Sequence, residues 1–418
     1  MIGVSVGLGN VWRFPYMMGK YGGSAFLIVY LFFTLLFAIP AVMAEWALAR
    51  ETRQGPIGAF SAVFGVAWGK IIGYMLLITV LVADSYYLVV VANVFYSAFF
   101  SFVKGFGDQN LEAFASGLGN GWLQYAIAIG ILIASLYIIY RGLNRGIEAV
   151  SKFLVPFFGV VIIYLVINAF LLEGAPRQFA AFLKPDFSVM RSEHIFAALG
   201  QAFFSLGLGG TFLLIYGSYL KEDQNIPKLA VLTGLGDTGA ALLASLFIIP
   251  SILVFGLDMT AGPGLIFSTL PKLFSVMPLG RFLGTIFMLA LFFMAFLSNI
   301  AALEVLVGGL SDVRKTAWSR NKIILFIGIL EFFLILPSCL NTDLIATLDL
   351  IFGSGMQVFG SALAVIGVTW GLGKSKTLKQ IFSTVSFRWQ NIYFFWLKWV
   401  IPTALLFILL SYIFSSVL

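Results

Sequence analysis

Seven ionisable side chains stand inside stretches that are otherwise apolar: Arg13, Glu45, Asp84, Asp237, Glu304, Glu331 and Asp349. A charge in such surroundings is costly unless it is paired or binds something, so each is a candidate for ion or substrate binding. The alternative for each is a structural charge satisfied by a neighbouring helix. Arg13 alone in lipid would be especially costly, and Asp349 lies at a depth where it could be its partner. Covalent catalysis finds little support. The chain has one cysteine, Cys339, and one histidine, His194. That excludes a disulfide framework and a cysteine metal site, and the single histidine, in an expected outer loop, argues against a His-ligated metal site or a Ser–His–Asp triad, so an enzyme is not expected.

The elements that must carry these residues are membrane helices. Of 418 residues, 61% are hydrophobic and only 10% are charged, against about 25% charged in a soluble domain. Mean hydropathy is +1.02. Apolar runs long enough to cross a bilayer fall near 1–18, 24–49, 71–102, 122–140, 149–172, 195–219, 229–256, 281–308, 323–340, 343–372 and 392–416. This predicts an all-α polytopic membrane protein of about eleven spans, with the lipid bilayer as its solvent. Sixteen Lys and Arg residues fall in the even-numbered connections and seven in the odd ones. Positive charge concentrates on the cytoplasmic side, which predicts a cytoplasmic N-terminus and an outside C-terminus in the plasma membrane. The net charge of +7 is therefore loop charge, and no nucleic-acid partner is expected.

Two spans carry glycine clusters at their middles. One is Val6-Gly7-Leu8-Gly9-Asn10 and the other is Ser205-Leu206-Gly207-Leu208-Gly209-Gly210-Thr211. Glycine costs about 1 kcal/mol in a helix interior, so a break in each span is plausible. Backbone freed at bilayer depth survives only where it binds a ligand or lines a cavity. Close helix packing through small residues is the alternative. The breaks are five spans apart. Residues 1–172 and 195–372 could thus be two inverted repeats of a single transporter domain, with 392–416 an additional helix and the binding site where the breaks meet.

The run Gly7-Leu8-Gly9-Asn10-Val11-Trp12-Arg13-Phe14-Pro15-Tyr16 resembles the neurotransmitter:sodium symporter family, in particular its bacterial eleven-span amino-acid transporters. So do Tyr21-Gly22-Gly23-Ser24-Ala25-Phe26, Glu45-Trp46-Ala47, Ser85-Tyr86-Tyr87, Gln201-Ala202-Phe203-Phe204-Ser205-Leu206 and Tyr216-Gly217-Ser218-Tyr219. The resemblance implies a 5+5 inverted-repeat fold with helices 1 and 6 broken, and alternating-access uptake of an amino acid with sodium. It implies that the substrate carboxylate meets the amides around Leu8 and Gly9 and the hydroxyl of Tyr87. The substrate amine would meet carbonyls near Phe204, Ser205 and Gly207, and Ala83, Tyr87 and Phe204 would line the side-chain pocket. Relatives that carry monoamines have aspartate at the place of Gly7, so glycine favours neutral, hydrophobic or aromatic L-amino acids. A first sodium site would use Ser5, Asn10, Ser205 and the substrate. A second would use Gly3, Val6, Met294 and Ser298. Asp237 would take the place of chloride. Phe204 with Arg13 and Asp349 would form an extracellular gate, and Asp312 with Tyr219 part of a cytoplasmic one. The Gly146 to Pro156 segment resembles the family's point of local unwinding toward the inside.

The chain departs from the pattern in three places. The hydroxyl ligand expected beside Ser298 is Leu297, which weakens the second sodium site and raises coupling to one sodium or to protons as a variant. Asp84, one turn before Tyr87, is unfamiliar. It could meet a cationic substrate, carry a proton, support an ion or bond a neighbouring helix. The residues that would precede Met1 in the family, with the arginine and tryptophan of the cytoplasmic gate, are expected upstream in a longer version of this chain. A transport-inactive ligand sensor or scaffold is the competing class of function. Intact Asn10, Tyr87, Phe204 and Ser205 argue against it.

Overall fold

The computed structural model describes residues 7–142, 148–259, 264–311, 318–382 and 388–417. Nine helices among these are long and apolar enough to cross a membrane. They are Ser24–Thr52 (α2), Val66–Val103 (α3), Gly121–Tyr140 (α4), Glu148–Phe170 (α5), Ile226–Phe255 (α8), Gly280–Ser311 (α9), Arg320–Leu340 (α10), Asp343–Phe382 (α11) and Gln390–Ser411 (α12). Two further segments complete the eleven expected. The first, α1, runs through Gly9–Arg13 and Phe14–Lys20. The other is split into Ser192–Ser205 (α6) and Phe212–Ser218 (α7).

Local chemistry sets the ends. Asn120 caps α4 by accepting from the Leu123 amide at 3.1 Å. Asn225 caps α8 by accepting from Lys228 at 2.9 Å, and Gly256 closes that helix in the left-handed conformation. Each cap satisfies a backbone group that the helix leaves unpaired. The apolar pattern then decides position. In its most apolar stretch α9 is 72% buried, whereas α4 and α5 are 33% buried. Helix α9 is therefore the central strut, and α4 and α5 stand at the rim. Large apolar side chains such as Phe153, Val160, Leu325 and Phe333 point outward. Such a surface is stable only against lipid, and the chain is a multi-pass membrane protein.

Helix α3 begins five residues ahead of the apolar run that marked it, and α11 continues ten residues beyond its own. The extension of α11 carries Lys374, Lys376 and Lys379, so hydropathy could not include it. It is held by contacts from far along the chain. The Arg50 guanidinium donates to Gln380 Oε1 at 2.8 Å and to the Gln224 carbonyl at 2.7 Å. Gln380 in turn donates to Glu51 at 2.7 Å.

Candidate functional site

The glycines of the sixth span produce a true interruption. Helix α6 ends at Ser205, the next six residues leave the helix, and α7 starts at Phe212. Gly207 and Gly210 take φ of +64° and +70°, a region that side chains with Cβ strongly disfavour. Glu45 stabilises the break from α2. Its two carboxylate oxygens accept from the Gly209 and Gly210 amides, each at 3.2 Å. Glu45 is fully buried, and this carboxylate answers two of the donors that the interruption frees.

The other glycine cluster comes up against this break. Among the described residues the chain bends at Gly7 and is helical from Leu8. The Asn10 side chain accepts from the Gly7 amide at 2.9 Å. Its amide nitrogen donates to Ser205 Oγ at 3.2 Å and to Asp237 Oδ1 at 2.7 Å. Ser205 Oγ donates to Asp237 Oδ2 at 2.6 Å. One residue from each glycine cluster and one carboxylate from α8 thus form a single buried polar group, with oxygens on the Asn10, Ser205 and Asp237 side chains. That donor chemistry fits a small alkali cation. Ser5 lies outside the described residues.

Above this group is a cavity of about 200 Å³. Gly7, Leu8, Gly9, Ala83, Tyr87, Phe204, Ser205 and Gly207 all line it. Ser298 lines it as well. The start of a helix carries free N–H donors and positive partial charge, so this corner suits a carboxylate. A Cβ at Gly7 would stand 2.7 Å from Ser298 Oγ. An aspartate there would displace Ser298, so the chain presents no carboxylate of its own at this point.

Of the residues expected at the outer gate, Phe204 and Asp349 line the same cavity, and the three make separate contacts. Arg13 stacks over the Phe204 ring, its guanidinium carbon 4.1 Å from the centroid, a favourable cation–π geometry. Asp349 accepts from the Tyr86 hydroxyl at 3.1 Å. Among the described residues no ion pair joins Arg13 to Asp349. Each lies in a π-helical turn, Gly9–Arg13 and Asp349–Gly355, a form that is uncommon and concentrates at functional sites.

The second expected ion site is less complete. Gly3 and Val6 lie outside the described residues. Ser298 donates back to the Met294 carbonyl at 3.2 Å, so these two oxygens are adjacent. Leu297 is 2% exposed and packs in the main apolar core, and its side chain brings no oxygen. At the opposite end Asp312 lies outside the described residues, as does Gly146, while Tyr219 is half-exposed just beyond α7.

Several buried polar residues give no local sign of their partners. Glu45, Asn299 and Arg320 act through partners distant in sequence. Asn299 donates to both Asp84 oxygens, at 2.9 and 3.1 Å. Arg320 pairs with Glu304 at 2.6 Å. The apolar setting of Glu45 and Glu304 marked them as in need of partners, but spacing could not say which.

Comparison with known proteins places this geometry. A family model described as the sodium:neurotransmitter symporter family matches residues 1–111 and 106–417. An uncharacterized sodium-dependent transporter of Haemophilus influenzae is 30% identical, over 99% of this chain and 95% of its own. The sodium-dependent transporter YhdH of Bacillus subtilis is 28% identical, over 98% and 94%. A crystal structure of MhsT in complex with L-phenylalanine matches with a TM-score of 0.88 and 31% identity, covering 98% of this chain and 96% of that one.

Proposed function

The chain belongs to the sodium:neurotransmitter symporter family, a family of sodium-coupled transporters, and from that premise we propose that it carries neutral, hydrophobic or aromatic L-amino acids into the cell. The observation that carries this reading is the cavity between the two glycine clusters, with backbone donors at one end and a lining that is largely apolar, among it Ala83, Val80, Phe204 and Phe352. The substrate carboxylate meets the amides at Leu8 and Gly9 and the Tyr87 hydroxyl. Its amine meets carbonyls near Phe204, Ser205 and Gly207. Its side chain lies against Ala83, Tyr87 and Phe204. The phenylalanine bound to MhsT supports this substrate class.

Sodium occupies a site made by Asn10, Ser205, Ser5 and the substrate carboxylate. Sharing a ligand with the substrate makes each raise the affinity of the other. Asp237 supplies a fixed negative charge beside that site, so transport proceeds without chloride. A second sodium would rest on Gly3, Val6, Met294 and Ser298, and Leu297 weakens it. Arg13, Phe204 and Asp349 close the outer side, and Asp312 with Tyr219 belongs to the inner closure. Residues 1–172 and 195–372 act as the two inverted repeats, and the N-terminus lies in the cytoplasm. Sodium-dependent binding of L-phenylalanine and of phenethylamine by the purified protein tests the reading. The amino acid binds and the amine does not; equal binding of the two contradicts the carboxylate assignment.

A further inference from the structure

Four membrane helices meet at a second buried polar group, apart from the helix breaks. Asp84 of α3 is 2% exposed. Both of its oxygens accept from the Asn299 amide of α9. The Asn299 carbonyl oxygen accepts from Ser135 Oγ of α4 at 2.6 Å. Glu331 of α10 is fully buried, and neither of its carboxylate oxygens has a hydrogen-bond partner among the described residues. Asp84 and Glu331 act on each other electrostatically.

The charges do not balance. Among the described residues no Lys, Arg or His pairs with Asp84 or Glu331. Several other ionisable groups on the packed helices make contacts of their own or face outward. Tyr125 of α4 donates to the Phe332 carbonyl. Glu304 of α9 is paired with Arg320. Asp349 of α11 holds Tyr86, while Asp343, at the start of α11, is exposed. Cys339 of α10 is buried and free. Two ionised carboxylates in each other's field in an apolar interior would be costly. The group must hold a positive charge. A sodium ion needs several oxygens to replace its water, whereas here the Asn299 carbonyl accepts from Ser135 and the Asn299 amide lies against both Asp84 oxygens. Among the described residues only the two Glu331 oxygens of this group accept no hydrogen bond. One proton needs a single oxygen.

We propose that Glu331 and Asp84 form a proton-binding pair, with the proton resident on Glu331 and Asp84 linking it to the substrate cavity. Asp84 lines that cavity together with Tyr87, one helical turn away. Filling the cavity therefore alters the field and the water access that the pair experiences, and its proton occupancy follows the transport cycle. This coupling to substrate rests on the function proposed above; the proton site itself does not.

Infrared spectra of the full chain in lipid nanodiscs, taken without substrate across a pH titration, test it. The parent should show the carbonyl stretch of a buried protonated carboxylic acid at neutral pH. Glu331→Gln should lose that band, and Glu331→Asp should keep it at a shifted frequency. Asp84→Asn removes the neighbouring negative charge, so the band should persist but titrate away at lower pH. Adding sodium and L-phenylalanine to the parent should move the titration. A band unchanged in Glu331→Gln overturns the proposal. So does loss of one bound sodium per protein in that variant, which would make the pair a metal site. If Glu331→Gln does not purify as a single species, Asp84→Asn decides alone, and an unmoved titration overturns the pair. A titration that moves with Asp84→Asn but not with ligand would leave the proton site standing and overturn its link to the cavity.

Discussion

Asn10 and Asp237, 227 positions apart, are joined by a 2.7 Å hydrogen bond, and Ser205 bridges to the same carboxylate at 2.6 Å. This ties the two interrupted helices to α8 at one point. If Asp237 supplies a fixed charge there, replacing chloride with gluconate should leave transport unchanged. Asp237→Ser should make transport depend on chloride, because a removable anion then takes the place of the fixed one. Uptake measured in the two salts decides it: a chloride-sensitive parent would contradict the assignment.

Tyr87 lines the cavity together with Leu8 and Ser298. Tyr87→Phe deletes one hydrogen bond to a charged group, a loss of about 1.5–3 kcal/mol. L-phenylalanine affinity should fall roughly 10- to 100-fold in an equilibrium binding assay. An unchanged affinity would place the carboxylate elsewhere.

Glu45 is the support of the second break. Glu45→Ala strands the Gly209 and Gly210 amides in a buried site, and each buried unsatisfied donor costs about 1–3 kcal/mol. The variant should unfold at a lower temperature than Glu45→Gln, whose carbonyl can still accept one of the two bonds. Thermal unfolding in detergent would show the order, and equal midpoints would mean that the carboxylate does not hold the break.

Arg13 over Phe204 and Asp349 with Tyr86 are two contacts on one vestibule. Asp349→Ala should reduce the rate of uptake more than it reduces equilibrium binding, since closure over the substrate is impaired while the pocket remains. A variant with normal turnover would remove Asp349 from the gate.

Leu297 concerns ion number. With one hydroxyl missing, uptake should depend on sodium with a Hill coefficient near one. Leu297→Thr should raise sodium affinity, whereas Leu297→Val, nearly the same shape but unable to coordinate, should not. Both variants also lose apolar volume in a packed site, so the comparison between them is the informative one. Identical sodium curves for Thr, Val and the parent would mean that position 297 is not a ligand position.

Much of this was legible in the residues. The spans follow from uninterrupted apolar runs, and the break after Ser205 from three glycines in four positions. Gly7, Asn10, Phe204 and Ser205 were recognisable because they lie in dense local motifs. What was illegible depends on distant partners. Nothing near Glu45 indicates that it will bond amides 164 residues away, and nothing near Asp84 indicates Asn299 and Ser135. Asp84 looked anomalous and Glu331 looked like one more buried charge. Only the folded bundle puts the two in each other's field. Hydropathy likewise stops at residue 372, because the turns beyond it are polar and are held by Arg50 from another helix.

Sodium-driven amino-acid transport is tested most directly by uptake into proteoliposomes. With sodium outside and potassium inside, labelled L-phenylalanine should accumulate above its external concentration and leak out when the sodium gradient is collapsed. It should also undergo counterflow in vesicles preloaded with unlabelled substrate. Sodium-dependent binding without accumulation or counterflow would contradict the account and make the chain a sensor.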